Sequence, residues 1–243
     1  MRPNIEHQLL SLNRGFYQTF AEPFAESRNR PQPGVEHFLS RVGSLQPVLD
    51  LGCGNGSLAL ALWESGHRAA YLGFDNSESL LDWAREHCRH ANAEFKLADL
   101  AKAGWVSQVP SIDFQWIFVL AVLHHLPGYQ RRLDWAKALG TILAPQNHVV
   151  ISVWNFPAEA RWRDRVVPWS EIGLEEKDVE TGDALLDWRR GGRGLRYVHH
   201  FNPAELAKLA DEADCEVVEQ QKAGGQSGQL NLLQLWRARD RED

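Results

Sequence analysis

At the start of the chain Ile5, Leu9, Leu12, Phe16 and Phe20 recur every three to four residues, the period of one face of an amphipathic helix, and Pro23 predicts its end or a kink. The pattern then changes to short apolar runs, each stopped by an acid, a glycine or a turn. Such runs over 48–51, 71–75, 94–100, 114–122 and 148–154 predict strands, and helical patterns follow from Ser57, from Ser77 and over 129–143. A further helix is expected over 203–214. Two last strands, near 215–221 and 231–237, flank the turn-rich Ala223-Gly224-Gly225-Gln226-Ser227-Gly228. Seven strands alternating with helices predict an α/β fold with a doubly wound sheet.

The residues between the fifth strand and the penultimate helix read as an insertion with an uneven charge pattern. Arg161, Arg163 and Arg165 open it, Arg189, Arg190, Arg193 and Arg196 close it, and Glu171, Glu175, Glu176, Asp178, Glu180, Asp183 and Asp187 fill the middle. Two readings stand side by side: basic ends pairing with an acidic centre, or an arginine-lined mouth for an anionic substrate. A chain of 243 residues, 44% hydrophobic, suits one α/β domain with additions. The expected organisation is an N-terminal cap over 1–40, a core over 45–154, a lid over 155–200, and a C-terminal helix and strands over 201–243.

Composition narrows the setting. The net charge of −6 argues against indiscriminate nucleic-acid affinity, and no DNA partner is expected. Cys53, Cys88 and Cys215 are scattered and odd in number, so neither a disulfide framework nor a metal site is expected. With neither a long apolar leader nor a membrane-length apolar run, the expected location is cytoplasmic.

The chemistry concentrates where strands meet loops. Asp50-Leu51-Gly52-Cys53-Gly54-Asn55-Gly56 places a glycine-rich turn between the first strand and a helix, an arrangement that lets a ligand approach the main chain and the helix N-terminus. An acid two residues before the first glycine repels phosphate and suits a cation, which favours S-adenosylmethionine over NAD. Asp75, ending the second strand, is placed to accept from ribose hydroxyls or to cap the next helix. Asp99 after the third strand is placed to accept from an adenine amino group, beside the backbone N–H of Leu100. The fourth strand runs through Leu120, Ala121 and Val122 into His124 and His125. No further ligand residue sits at metal-binding spacing around that pair, and one of the two histidines is expected to face the substrate.

These motifs together, in this order over roughly 45–155, resemble the class I S-adenosylmethionine-dependent methyltransferases. The resemblance implies a Rossmann-like seven-stranded sheet of order 3-2-1-4-5-7-6 with the last strand antiparallel. It further implies S-adenosylmethionine as cofactor, S-adenosylhomocysteine as product, and cofactor contacts from Asp50, Gly52, Cys53, Gly54, Asn55, Gly56, Asp75, Asn76, Asp99, Leu100, Leu120, Ala121, Val122 and His125. A narrower set is similar to the tRNA wobble-uridine carboxymethyl methyltransferases: Phe20 to Arg28 followed by Arg30-Pro31-Gln32-Pro33, Gly182 to Trp188, and Arg196-Tyr197-Val198-His199-His200-Phe201. Gln32, Asp187, Val198 and Leu232 depart from that pattern; an aromatic is usual at position 32. The narrower resemblance implies a carboxylate acceptor on tRNA held by Arg28 and Arg196, with Tyr197, His199 and the histidine pair nearby. The alternatives are a methyltransferase acting on a small-molecule metabolite and, from a different class, a non-catalytic cofactor-binding or partner-regulating module. For a hydroxyl or amine acceptor, His124 or His125 would serve as general base. The acceptor's identity, the oligomeric state and any need for an activating subunit are not legible in the chain.

Overall fold

Strands β1 (Val48–Leu51), β2 (Tyr71–Asp75), β3 (Ala93–Leu97), β4 (Trp116–Leu120) and β5 (His148–Trp154) form a parallel sheet. The inner ones read as nearly unbroken apolar runs because helices cover both faces. In the computed structural model, which describes residues 1–26, 30–89 and 91–240, strands β9 (Cys215–Ala223) and β10 (Asn231–Ala238) complete the sheet. Its order is β3-β2-β1-β4-β5-β10-β9, with β10 antiparallel to both neighbours. This is the doubly wound topology expected from the sequence, with the two C-terminal strands as sixth and seventh.

One face is packed by α3 (Val35–Leu39), α4 (Ser57–Glu64) and α5 (Glu78–His87), through Phe38, Leu58, Leu62, Leu81 and Ala84. The other carries α6 (Tyr129–Gly140) and α8 (Pro203–Glu212), through Leu133, Leu139, Leu206 and Leu209, with Trp236 of β10 beneath them. Chain direction across the sheet reverses between β1 and β4, and a crevice opens there beyond the carboxyl ends of the strands.

The insertion differs from the sequence expectation, which assigned it no strands. After the short α7 (Ala160–Arg163), strands β6 (Val166–Val167), β7 (Asp183–Trp188) and β8 (Gly194–His199) form a separate antiparallel sheet. Alternation failed as a signal because this small sheet is buried on both sides. Leu185 and Tyr197 meet Ile5 and Leu9 of α1 (Pro3–Thr19), whereas Leu186 and Val198 meet Trp154 and Phe156 at the end of β5. Helix α1 ends at Thr19 and Pro23 falls within the short α2 (Ala21–Glu26).

A buried polar seam joins the small sheet to the core. His199 Nδ1 lies 2.7 Å from Asp183 Oδ1, and its Nε2 lies 3.0 Å from Glu205 Oε1. Arg132 donates to Glu180 at 3.0 Å, to Glu205 at 3.3 Å and to the Leu126 carbonyl at 3.1 Å. Burial disfavours the charged imidazole, but hydrogen bonds to the two carboxylates outweigh it and raise the His199 pKa above its ordinary value. Among the described residues no helix is long and apolar enough to cross a membrane.

Candidate active site

The crevice at the strand ends is a cavity of about 1270 Å3 of empty space, its open mouth included. Its floor is the glycine-rich turn. Gly52 has φ +90°, and a Cβ there would lie 2.2 Å from Val122 Cγ2, so this position needs glycine for both backbone and space. Asp75 organises the turn: Oδ2 accepts from the Gly54 N–H and Oδ1 from the Ser77 N–H, both at 2.9 Å. It therefore caps the next helix and still faces the cavity, where each carboxylate oxygen has a second lone pair for a hydroxyl. Burial pushes the Asp75 pKa up, against those backbone N–H groups, which lower it.

Asp50 is buried at the same wall. The Tyr71 hydroxyl donates to its Oδ2, while Oδ1 has no hydrogen-bond partner among the described residues. Burial raises its pKa from 3.8 to about 7; the Tyr71 hydrogen bond works against that rise and the Asp75 charge adds to it. A buried carboxylate oxygen left open toward a cavity is matched by a ligand that brings a cation or an N–H donor. Asp99 lies further along: Oδ1 accepts from the Ala101 N–H at 3.1 Å, and Arg14 of α1 donates to Oδ2 at 2.6 Å. The acidic residues in the cavity lining are Asp50, Asp75 and Asp99, all from the β1, β2 and β3 side.

Of the cofactor contacts expected from the sequence, all but Gly56 line this cavity: Asp50, Gly52, Cys53, Gly54, Asn55, Asp75, Asn76, Asp99, Leu100, Leu120, Ala121, Val122 and His125. Gly56 is placed elsewhere. Its missing Cβ would meet Ala84, Cys88 and Phe95 at 2.9 to 3.3 Å, so that glycine serves helix-to-sheet packing instead.

The expected catalytic set is dispersed. His125 lines the cavity, whereas His124 is fully buried, stacked on Trp154 with its Nδ1 accepting from the Trp154 N–H. The Tyr197 carbonyl lies 3.0 Å from His125 Nδ1 and can only accept, so Nδ1 carries the proton. Nε2 then accepts from the Tyr17 hydroxyl at 2.7 Å. Asn13 holds the Tyr197 main chain from both sides, accepting from its N–H at 2.8 Å and donating to its carbonyl at 3.1 Å.

The side chains of Tyr197 and His199 are absent from the cavity lining: both are bonded to Asp183 inside the seam, and burial raises the Tyr197 pKa well above its usual value. Arg196 is also buried away from the lining. Its guanidinium sits 4.3 Å from the Trp154 ring centroid, 5.2 Å from Phe16, 5.4 Å from Trp188 and 5.6 Å from Trp162. Arg28 lies outside the described residues, so the expected pairing of Arg28 with Arg196 has no geometry to report. Among the described residues no cluster of His, Cys, Asp or Glu is arranged to hold a metal, and the three cysteines are free and buried.

Leu10, Asn13, Arg14 and Tyr17 of α1, with Arg30, Gln32 and Trp154, also line the cavity; none of them is among the expected site residues, and Arg30 and Gln32 enter the sequence reading only through the narrower motif. The helix signal was present: residues 10, 13, 14 and 17 share the spacing of a second stripe, beside the apolar stripe that packs on the small sheet.

The chain matches the family described as "Methyltransferase domain" over residues 7–220. It belongs to that family. Its fold recurs in a SAM-dependent methyltransferase from Methanosarcina mazei, 19% identical with a TM-score of 0.65 over 87% of this chain and 100% of that one. The Haloferax volcanii methyltransferase solved with the Trm112 methyltransferase activator is 14% identical, also with a TM-score of 0.65, over 95% of this chain and 99% of that one. Among curated proteins, the mouse (Mus musculus) tRNA (carboxymethyluridine(34)-5-O)-methyltransferase ALKBH8 is 30% identical over 67% of this chain and 23% of its own length. A trans-aconitate 2-methyltransferase from Mycobacterium sp. (strain KMS) is 31% identical over 80% of this chain and 67% of its own. The chain thus spans about a quarter of the ALKBH8 relative and two fifths of a probable tRNA methyltransferase 9B from Bos taurus. As in the methyltransferase domains it resembles, the cofactor is S-adenosylmethionine. The cavity suits it: acids where its amino group, ribose and adenine bring donors, and a buried open carboxylate oxygen at Asp50.

Proposed function

We propose that this methyltransferase methylates a carboxylate oxygen of its acceptor. The observation that carries the reading is the sorting of charge within one cavity. Among the described residues the β1 to β3 wall holds the three lining carboxylates, while the wall built from α1, residues 30–32 and the turn after β4 presents Tyr17, Arg30, Gln32 and His125 and no acid. An anionic acceptor is repelled from the first wall and received by the second. The relatives' names agree on acceptor chemistry: carboxymethyluridine carries a carboxylate and trans-aconitate carries three.

The cofactor supplies an electrophilic methyl on a sulfonium. With an acceptor carboxylate already ionised, transfer of that methyl to its oxygen would release no proton and would need no general base from the protein. The protein's share is orientation and exclusion of water. Accordingly His125 holds the Tyr17 hydroxyl on the cavity wall rather than accepting a proton from substrate, and this hydrogen bond ties α1 to the end of β4.

The first acceptor proposed is a carboxymethylated wobble uridine in tRNA, supported by the Gly182 to Trp188 and Arg196 to Phe201 motifs. Exposed Arg161, Arg163, Arg189 and Arg190 on the insertion offer phosphate contacts. The second is a small polycarboxylate, supported by the longer mutual alignment with the trans-aconitate enzyme and by Gln32 in place of an aromatic. A cytoplasmic site of action belongs to the same proposal.

The test is to incubate the protein with methyl-labelled cofactor and, separately, tRNA containing carboxymethyluridine and trans-aconitate. Transfer should give a product whose label is released as methanol by mild alkali, the mark of a carboxyl ester. Label that resists alkali, or transfer only to uncharged hydroxyls or amines, sinks the carboxylate reading.

A further inference from the structure

Arg30 and Gln32 line the cavity from the segment that precedes α3. Each precedes a proline, Pro31 and Pro33, whose rings disfavour helical backbone in the residue before them and so narrow the conformations open to both. Both residues line the cavity, as does Pro31 between them.

The Gln32 amide is oriented from behind by the sheet. Fully buried Ser152 of β5 accepts from the Ala121 N–H with its Oγ at 3.1 Å and donates its one proton to Gln32 Oε1 at 3.0 Å. Ala121 itself has φ +60°, a left-handed conformation that costs a non-glycine residue free energy and is held by bonds to both the carbonyl and the hydroxyl of Ser152. With Oε1 committed to Ser152, the Nε2 amino group is the free branch of a planar amide on a cavity-lining residue. It has no partner among the described residues.

We propose that Arg30 and Gln32 are the acceptor-recognition arm of the site: Gln32 Nε2 donates to a carboxylate oxygen of the acceptor beside the Ala121 turn, and Arg30 supplies the charge. This rests on the carboxylate reading above. The two prolines and the Ser152 bond order the arm before substrate arrives, so little is lost in ordering it on binding. The arm also relocates the cation expected from Arg196, which lies in its aromatic box.

A competing role for Gln32 is to brace Ser152 and nothing more, and Gln32→Glu separates the two. Glutamate keeps an oxygen to accept from Ser152 but replaces the donating amino group with a negative charge. Steady-state kinetics with trans-aconitate and with a carboxymethyluridine anticodon stem-loop, alongside calorimetry with S-adenosylhomocysteine, give the readout. Gln32→Glu should raise the KM of whichever acceptor is used at least 30-fold with cofactor affinity within threefold of wild type. Arg30→Gln should raise that KM 5- to 20-fold and flatten its salt dependence. If Gln32→Glu matches wild type while Gln32→Met impairs cofactor binding and turnover together, Gln32 is only a brace and the arm is overturned, although the carboxylate reading survives. If the wild type binds neither probe when saturated with S-adenosylhomocysteine, and methylates neither when supplied with S-adenosylmethionine, the carboxylate reading falls and the arm with it.

Discussion

Replacing Asp50 by asparagine should make the empty protein more resistant to unfolding at pH 8 while weakening its hold on the cofactor. The wild-type carboxyl is buried, with Oδ1 open and Oδ2 accepting from Tyr71, and its pKa is raised from 3.8 to about 7. Below about pH 4 the carboxyl is protonated in both folded and unfolded chains and costs nothing. Between 4 and 7 the unfolded chain ionises and the native one does not, so stability falls; above 7 the penalty is complete. A gap of about 3 pKa units corresponds to at most roughly 4 kcal/mol at ~1.4 kcal/mol per unit, and relaxation around the site brings this to about 2. Asparagine keeps an oxygen for Tyr71 and does not titrate, and its own desolvation is the same at every pH. The stability difference, variant minus wild type, should therefore climb by about 2–4 kcal/mol from pH 4.5 to pH 8, roughly 5–10 °C in Tm for a chain of this size. Thermal unfolding across that range measures it. Calorimetry at pH 8 should show S-adenosylmethionine binding about 10- to 100-fold more weakly to the variant, the loss of one charge-assisted contact. A difference that stays flat with pH would refute the raised pKa, and unchanged cofactor affinity would show that the open oxygen does not meet the cofactor's cation.

Three further outcomes follow from the packing. Gly52→Ala adds a Cβ 2.2 Å from Val122 Cγ2 at φ +90° and should lose at least ~2 kcal/mol of stability together with cofactor binding, read by urea unfolding and calorimetry. Arg196→Ala empties a box of four aromatic rings and should cost about 2–4 kcal/mol in folding; a normal Tm with turnover selectively lost would instead place Arg196 at the substrate. His199, whose pKa is raised by Asp183 and Glu205 against burial, stabilises the fold below its unfolded value of ~6.5, and that contribution is lost as pH rises through the higher native value. His199→Gln should accordingly show a smaller fall in Tm between pH 6.5 and 8.5 than the wild type, and identical slopes would remove the imidazole from the seam's titration.

What the sequence determined by itself is the part built from local rules. A strand that ends against Asp50 and three glycines, an acid ending the next strand, and the apolar runs of β1 to β5 each depend on neighbours within a few residues, so the doubly wound sheet and its acidic cofactor wall were legible. The exception, Gly56, shows the limit of a motif: its spacing belongs to the loop, yet α5 and β3 approach so closely there that the glycine serves packing. Only the tertiary structure could decide the rest. The small sheet had no alternation to read because α1 buries one side and Trp154 and Phe156 the other. Arg196, Tyr197 and His199 fall within four residues of one strand, where immediate neighbours point to opposite faces, so Arg196 enters an aromatic box while Tyr197 and His199, two apart, share the buried seam instead of converging on substrate. The acceptor wall, conversely, draws Tyr17, Gln32 and His125 from segments as much as 108 residues apart. Their meeting depends on which face of α1 turns inward and on Ser152 reaching back to Gln32. Contacts of that range are set by the packing of whole elements, and no local pattern carries them.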